Sequence, residues 1–215
     1  MASLEGPYKN LFKFKIAVYC MEIGDEAIAL FDMDGVLCDY EKAMFEDLDK
    51  IRSKKEPKVV SRINDTAPQY LKNRAFLIRN SEEWWMNLPK FKLGWDVLKI
   101  AKKLGFKIVI LSKSPSRIPS AYSGKKKWIE NNLGKHIDVV ILNRDKGIVY
   151  GRILVDDNPV FIKSWLKYRP RGLVIMPASN DNRSYGHPQV IRYDGKNLKE
   201  VREAMKKAKI RKVGK

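Results

Sequence analysis

Two carboxylates, Asp32 and Asp34, stand one residue apart after the apolar run Ala27–Leu30 and just before Gly35. Like charges this close repel each other, so a folded protein keeps such a pair when a cation holds it or when one carboxylate does chemistry. One aspartate beside a divalent ion can attack phosphorus as a nucleophile, and a second can give a proton to the leaving oxygen. The pair therefore indicates phosphoryl chemistry, which needs further groups from elsewhere in the chain.

Short apolar strands alternate with amphipathic helices over most of the chain, which predicts an α/β fold with a parallel sheet covered on both faces. Strands are predicted at 27–31, 106–111, 137–142, 153–155, 173–176 and 190–193, and a half-exposed strand at 11–16 after which Gly24 and Asp25 form a turn. Helices are predicted at 40–51, 68–78, 81–88, 97–104, 128–133, 160–168 and 198–208, with a frayed tail from residue 211. We expect residues 1–39 and 91–215 to form the α/β core and residues 40–90 to form a helical insert.

Further polar groups follow two other predicted strands. Ser112, Lys113 and Ser114 come after strand 106–111, the pair Asp156-Asp157 comes after strand 153–155, and three lysines at 125–127 open the helix between them. Each group alone has a plain structural explanation, as a helix cap, a loop serine or a solvated face. Because ligands bind at the carboxyl ends of strands in an open parallel sheet, their consistent order favours one shared site. Two acidic strand ends suit Mg²⁺, which prefers oxygen ligands.

These pieces together resemble the four motifs of the haloacid dehalogenase superfamily, namely FDMDGV, the serine of ILSKS, a downstream lysine and ILVDD. DMDGVLCDYE, KKKWIENNLG, LNRDK and ILVDDNP are more specifically similar to the 5′(3′)-deoxyribonucleotidase family, over roughly residues 27–160. The resemblance implies a Rossmann-like parallel sheet with a small helical cap inserted after the first motif strand. It also implies an intracellular phosphatase acting on nucleoside monophosphates.

The resemblance assigns a role to each motif. It makes Asp32 the nucleophile that becomes an aspartyl-phosphate and Asp34 the general acid and base. Ser112 is expected to bind the transferred phosphoryl group, and the spacing KxxW before Trp128 selects Lys125 as the catalytic lysine.

The resemblance also places Mg²⁺ at the acidic strand ends. Asp32, the backbone carbonyl of Asp34, and the pair Asp156 and Asp157 are the expected metal site, and which member of the pair touches the ion stays open.

The loop around Pro115 departs from the family pattern. Lys113, Ser114 and Arg117 stand where the family has phosphate-binding residues, but the segment Ser-Lys-Ser-Pro is one residue longer than the family's Thr-Ser-Pro. Asn158 replaces a common arginine near the base, so the base preference stays open.

The predicted cap is rich in aromatic residues, which stack on nucleobases. Tyr40 matches a base-stacking aromatic of the family. Trp84 and Trp85 are adjacent, and because neighbours on a helix point about 100° apart, at most one of them faces the cleft. Each of them is otherwise expected to belong to the core of the cap.

The composition limits the other possibilities. The chain has 215 residues, 44% of them hydrophobic, and a net charge of +18. Its two cysteines form neither a metal motif nor a disulfide framework, and no signal peptide or membrane span is expected. Basic residues concentrate at 91–135, with 11 Lys/Arg against 2 Asp/Glu, which predicts an anionic partner or simply solvated helix faces.

The leading hypothesis is a Mg²⁺-dependent phosphatase of nucleoside monophosphates, above all of deoxyribonucleoside 5′- or 3′-monophosphates. The alternative enzyme is a phosphatase of DNA or RNA ends, which the basic charge favours and a cap of about 50 residues disfavours. A third hypothesis is a non-catalytic nucleic-acid-binding protein. Weak attraction of nucleic acid to the basic surface and a homodimer are also left open.

Overall fold

A computed structural model describes residues 26–211 of the chain, and within them a single sheet of six parallel strands forms the centre of the fold. The strands are β1 Ile28–Phe31, β2 Lys107–Lys113, β3 Asp138–Leu142, β4 Ile153–Val155, β5 Leu173–Pro177 and β6 Val190–Tyr193. The helices are α1 Tyr40–Ile51, α2 Gln69–Arg79, α3 Glu82–Met86, α4 Lys92–Lys103, α5 Pro119–Leu133, α6 Pro159–Lys167 and α7 Leu198–Ile210.

The strand order is β3-β2-β1-β4-β5-β6, which puts the first strand in the middle of the sheet. Side chains alternate between the faces of a strand, so Phe31 packs with α4, α5 and α7 on one face, while Leu30 packs with α6 on the other. Both faces are therefore buried, which explains why the central strands read as uninterrupted apolar runs. The predicted α/β fold with a parallel sheet is confirmed.

The segment between β1 and α4 leaves the core and returns to it at one point, which we call the neck. Cys38 and Lys90 form an antiparallel bridge there. Beside the bridge, the Asp39 amide donates to the Pro89 carbonyl at 2.7 Å, and the Phe91 amide donates to the Leu37 carbonyl at 3.0 Å. Between these points the chain forms α1, α2 and α3 and contributes no strand to the described sheet. The division of the chain into a core and a substrate-selecting insert at residues 40–90 stays a prediction.

Inside the insert, a small apolar cluster and an aromatic cluster hold the three helices together. Met44, Leu48 and Ala75 are buried between α1 and α2. Tyr40 stacks on Trp85 with ring centroids 5.6 Å apart and meets Trp84 edge-on at 5.4 Å. Tyr40, Trp84 and Trp85 are therefore part of the packing of the insert itself.

Two predicted boundaries differ from the structure. Strand β2 continues to Lys113 because Ser112 and Lys113 pair with β3, so Ser112 lies in the strand and not after it. Helix α5 begins at Pro119, so Lys125 lies in its middle, and the prediction that the lysines open the helix was wrong. Proline suits the first turn because it has no amide hydrogen to leave unpaired. The predicted strand 11–16, the turn at residues 24–25 and residues 212–215 lie outside the described residues.

Gly94 in α4 lets this helix approach the turn that follows Asp34. A Cβ atom at position 94 would lie 1.8 Å from the Val36 carbonyl oxygen. We expect Gly94→Ala to lower the free energy of unfolding by about 3 kcal/mol, measured by urea denaturation, because helix and turn must separate.

Gly186→Ala is the matched control for this substitution, because a Cβ atom there meets nothing within 4 Å. It should change the free energy of unfolding by less than about 0.5 kcal/mol. Equal stability of the two variants would contradict this account of Gly94.

Candidate active site

The turn after β1 holds Asp32 and Asp34 at the carboxyl edge of the sheet. The Asp32 amide continues the β1–β4 pairing by donating to the Val155 carbonyl at 2.9 Å. Gly35 then turns the chain with φ of 75°, and a Cβ there would lie 2.5 Å from Asp157 Oδ2. Only glycine combines this backbone conformation with this close approach, so the turn keeps Asp32 and Asp157 together.

Lys146 is fully buried and joins the two acidic strand ends. Its Nζ lies 2.8 Å from Asp32 Oδ1 and 2.7 Å from Asp156 Oδ2. Burial by itself lowers the pKa of Lys146, but the charges of Asp156 and Asp32 outweigh this and raise the pKa above its usual value. Lys146 is therefore a fixed positive charge between β1 and β4. It belongs to LNRDK, which carried part of the resemblance, but its role was missed.

Lys125 is also fully buried and forms an ion pair with Asp34, the second aspartate of the first motif. Its Nζ lies 2.6 Å from Asp34 Oδ2 and donates to Ser112 Oγ at 3.1 Å and to the Lys113 carbonyl at 2.6 Å. The neighbouring Lys126 and Lys127 instead form ion pairs with glutamates nearer the surface. The structure thus brings together Asp34, Ser112 and the lysine that the KxxW spacing selects.

The pKa of Asp34 differs from that of an ordinary aspartate. Burial raises it, the positive charge of Lys125 opposes this, and the charge of Asp32 raises it further, so the net change is upward. A carboxyl group with a raised pKa holds its proton at a higher pH, as a general acid must.

Asp32, Asp156 and Asp157 form a buried group whose carboxylate oxygens come within 4.8 Å of one another. Burial raises the pKa of Asp156 to about 6, and burial with the charges of Asp156 and Asp32 raises the pKa of Asp157 to about 8. Three converging carboxylate oxygens are the donor set that a hard divalent cation takes. The side chain of Asp34 is outside this group and is held by Lys125.

Arg62 reaches the site from the loop between α1 and α2. It lies 3.2 Å from Asp157 Oδ2, 2.6 Å from Glu41 Oε1 and 3.4 Å from Asp181 Oδ2. Glu41 belongs to the insert, whereas Asp157 and Asp181 belong to the core, so Arg62 ties the two parts together. Sequence reasoning missed Arg62 because the loop 52–65 has no motif and no periodicity.

A cavity of about 360 Å³ opens over these groups between the insert and the sheet. Its floor includes Asp32, Asp34 and Asp157, and its walls include Lys113, Pro115, Asn158 and Phe161 from the core and Tyr40, Arg62, Arg79 and Trp85 from the insert. We call this cavity the catalytic pocket.

Some of the predicted site residues lie outside the walls of the pocket. Trp84 lines a different cavity and donates to Asp47 Oδ2 at 2.8 Å, so of the tryptophan pair only Trp85 faces the catalytic pocket. Arg117 is exposed and does not line the pocket. Ser114 is buried, and its Oγ has no hydrogen-bond partner among residues 26–211. Asn158 caps α6 by accepting from the Val160 amide at 3.0 Å.

Comparison with known proteins identifies the family. The family model described as 5′ nucleotidase, deoxy (pyrimidine), cytosolic type C protein matches residues 26–208. The chain belongs to this family. A Bordetella pertussis protein named "Putative 5′(3′)-deoxyribonucleotidase" is 30% identical over 140 residues, which cover 62% of this chain and 75% of that protein. Its Bordetella bronchiseptica namesake is 29% identical over 141 residues, with the same coverage.

Among solved structures, a haloacid dehalogenase-like family hydrolase from Xanthomonas campestris matches with a TM-score of 0.49 and 11% identity, over 86% of this chain and 98% of that one. This likeness carries no argument about substrate. Membership in the 5′ nucleotidase family makes the chain a hydrolase of phosphate monoesters. The predicted resemblance is confirmed, and the hypothesis of a non-catalytic binder was wrong.

No helix within residues 26–211 is long and apolar enough to cross a membrane.

The raised pKa of Asp157 predicts how the metal-free 5′ nucleotidase responds to pH. The pKa of an unfolded aspartate is 3.8 and that of folded Asp157 about 8, so the folded state binds more protons between these values. The contribution of Asp157 to the free energy of unfolding therefore falls as pH rises from about 4 to about 8. We expect Asp157→Asn to be more stable than the wild type by a margin that grows from pH 5 to pH 8, in chemical denaturation with EDTA.

Asp181→Asn is the control, because Asp181 contacts the same arginine but has an exposed side chain. It removes a negative charge beside Arg62 at the surface, so any general effect of that loss of charge appears in this variant as well. A constant margin for Asp157→Asn would show that Asp157 is not protonated in the fold.

Proposed function

We propose that this chain is a Mg²⁺-dependent phosphatase of deoxyribonucleoside 5′- or 3′-monophosphates that works through an aspartyl-phosphate on Asp32. The observation that carries the proposal is the division of positive charge between the two aspartates of the first motif. Asp32 is bound by Lys146, and Asp34 is bound by Lys125. Two carboxylates in unlike environments can take the unlike roles of nucleophile and acid.

Asp32, Asp156 and Asp157 fit a magnesium ion by the nature and convergence of their oxygens. When bound, Mg²⁺ would offset the negative charge that the acidic group and a substrate phosphate bring together. The chain's own lysines supply the remaining positive charge. Lys125 Nζ lies between Asp34 and Ser112, where a phosphoryl oxygen can also be held.

Asp32 supplies the nucleophile of the first half-reaction, and Asp34 moves the proton in both half-reactions. A carboxylate oxygen of Asp32 attacks phosphorus, the bond from phosphorus to the sugar oxygen breaks, and protonated Asp34 gives its proton to that oxygen. In the second half, Asp34 takes a proton from water, and the resulting hydroxide attacks the phosphorus of the aspartyl-phosphate. Inorganic phosphate leaves and Asp32 is restored, with Asp34 protonated for the next cycle.

The insert supports a nucleoside as the leaving group. Tyr40 presents aromatic surface to the catalytic pocket with the buried Trp85 stacked against it, and Arg62 and Arg79 add positive charge beside it. The relatives are named for 5′(3′)-deoxyribonucleotides, and the family for deoxy and pyrimidine nucleotides. We therefore propose residues 40–90 as the cap that selects the substrate, in an intracellular setting where nucleoside monophosphates occur.

Phosphate release from purified protein tests the proposal. The substrates are deoxy- and ribonucleoside 5′- and 3′-monophosphates and oligonucleotides with a phosphate at either end, each with Mg²⁺ or with EDTA. We expect deoxyribonucleoside monophosphates with Mg²⁺ to react fastest and Asp32→Asn to react with none. Faster reaction of a phosphorylated oligonucleotide would instead favour the alternative, a polynucleotide-end phosphatase.

Asp34→Asn should distinguish the role of Asp34 from that of Asp32, because only the general acid matters more for a leaving group that needs a proton. We expect kcat/KM for a nucleoside monophosphate to fall about 10²–10⁴-fold, because the sugar oxygen needs a proton as it leaves. The fall should be much smaller for p-nitrophenyl phosphate, whose leaving group is stable as an anion. Asp138→Asn, at an exposed position that starts β3, is the control. An equal loss on both substrates would argue against Asp34 as the acid.

Tyr40→Ala should raise KM for nucleotides about tenfold while leaving p-nitrophenyl phosphate hydrolysis nearly unchanged, because only the nucleotide has a base to stack. Tyr40→Phe is the matched control, since it keeps the ring that packs on Trp85. Parallel loss of both activities in Tyr40→Ala would mean that Tyr40 only holds the insert together.

A further inference from the structure

Four arginines line a second cavity, of about 260 Å³, at the edge of the sheet opposite the catalytic pocket. The arginines are Arg152, Arg169, Arg171 and Arg211, and Tyr150 and Tyr168 are beside them. Arg152 directly precedes β4, whereas Asp156 directly follows it. The three residues of β4 lie between them, and four residue steps along a strand span about 13 Å, so this arginine cavity is a distinct place in the molecule.

The positive charge of the arginine cavity is not balanced by acidic groups. Its lining includes no Asp or Glu from the described part of the chain, and none of the four arginines forms an ion pair there. Backbone carbonyls hold the side chains in place instead. Arg152 donates to the carbonyl of Arg211 at 2.9 Å, Arg211 donates to that of Arg171, and Arg169 donates to that of Gly147 at 2.6 Å.

The arrangement keeps like charges close together. Burial and the nearby charges of Arg171 and Arg152 lower the pKa of Arg211 below its usual value. An anion in the cavity would relieve this repulsion, and guanidinium groups bind phosphate through paired, charge-assisted hydrogen bonds.

Capping of helix α7 explains only part of the cluster. Arg152 also donates to the carbonyl of Lys209 at the end of that helix, which is a structural role. It does not explain Arg169, whose Nε is buried without a hydrogen-bond partner among the described residues. Nor does it explain Arg171, whose exposed side chain makes no hydrogen bond there.

We propose that the arginine cavity binds the phosphate groups of a nucleotide, with the base against Tyr168. About half of the Tyr168 side chain, 56%, is exposed, so its ring is available to stack. The volume of about 260 Å³ lies just below the range of ligand pockets, which starts at about 300 Å³, and so suits the phosphate groups of one nucleotide better than a strand. This site does not depend on the proposed function of the catalytic pocket.

Calorimetric titration of the full chain in EDTA tests the proposal, with ATP and inorganic tripolyphosphate as probes at physiological ionic strength. We expect ATP to bind the wild type more tightly than tripolyphosphate does. Arg171→Glu should weaken ATP binding at least about tenfold through the loss of charge-assisted hydrogen bonds. Arg202→Glu, at an exposed position on α7, makes the same change of charge and should bind ATP as the wild type does.

Tyr168→Ala adds a test of the base, since it should reduce ATP affinity to that of tripolyphosphate and leave tripolyphosphate binding unchanged. Equal ATP binding by wild type and Arg171→Glu, or equal effects of the Arg171 and Arg202 variants, would overturn the proposal. Tighter binding of single-stranded oligothymidine than of ATP, lost in Arg171→Glu, would overturn it in favour of a strand site. Thermal unfolding and phosphate release by each variant check the fold, and failure of the proposed phosphatase activity would not affect these binding results.

Discussion

The structure depends on holding four aspartates at one edge of the sheet. Asp32, Asp34, Asp156 and Asp157 come from two strand ends, and burial of their charges is costly unless each has a partner. Lys125 and Lys146 are placed without solvent exposure to meet this need. Removing one partner of a buried ion pair typically costs about 3–5 kcal/mol, so the site and the fold cannot be altered independently.

The sheet order makes this balance of charge possible. Because β1 pairs with β2 on one side and β4 on the other, the groups that follow these strands converge around Asp32. Lys125 arrives from α5, behind β2, and Lys146 arrives from a short turn before β4. Each lysine approaches the aspartates from a different side, so the two carboxyl groups of the first motif have different surroundings.

The sequence predicted those features that are encoded locally. The strands, most helices and the aspartates at their ends follow from hydrophobic pattern, and the KxxW spacing identified Lys125. The role of Lys146 was not predicted because its partner Asp32 is distant in sequence and becomes a neighbour only through the order of the strands. The role of Arg62 was not predicted for a similar reason, since its loop has no recognisable sequence pattern and its partner Asp157 lies 95 residues away. The start of α5 was misplaced because its first turns, from Pro119, lack a clear apolar stripe.

The neck between Cys38 and Lys90 has a consequence for how such a protein changes over evolution. At the neck, two adjacent segments of backbone connect the insert to the core. The entropy of closing a loop grows only with the logarithm of its length, so doubling the insert would cost about 0.6 kcal/mol. Changes in the length of the loop 52–65 therefore cost the sheet little, whereas replacement of α3 would remove Trp85 from the hydrophobic cluster that packs on the sheet. The length of this loop is thus free to vary among related proteins, while the helix that packs on the core is not.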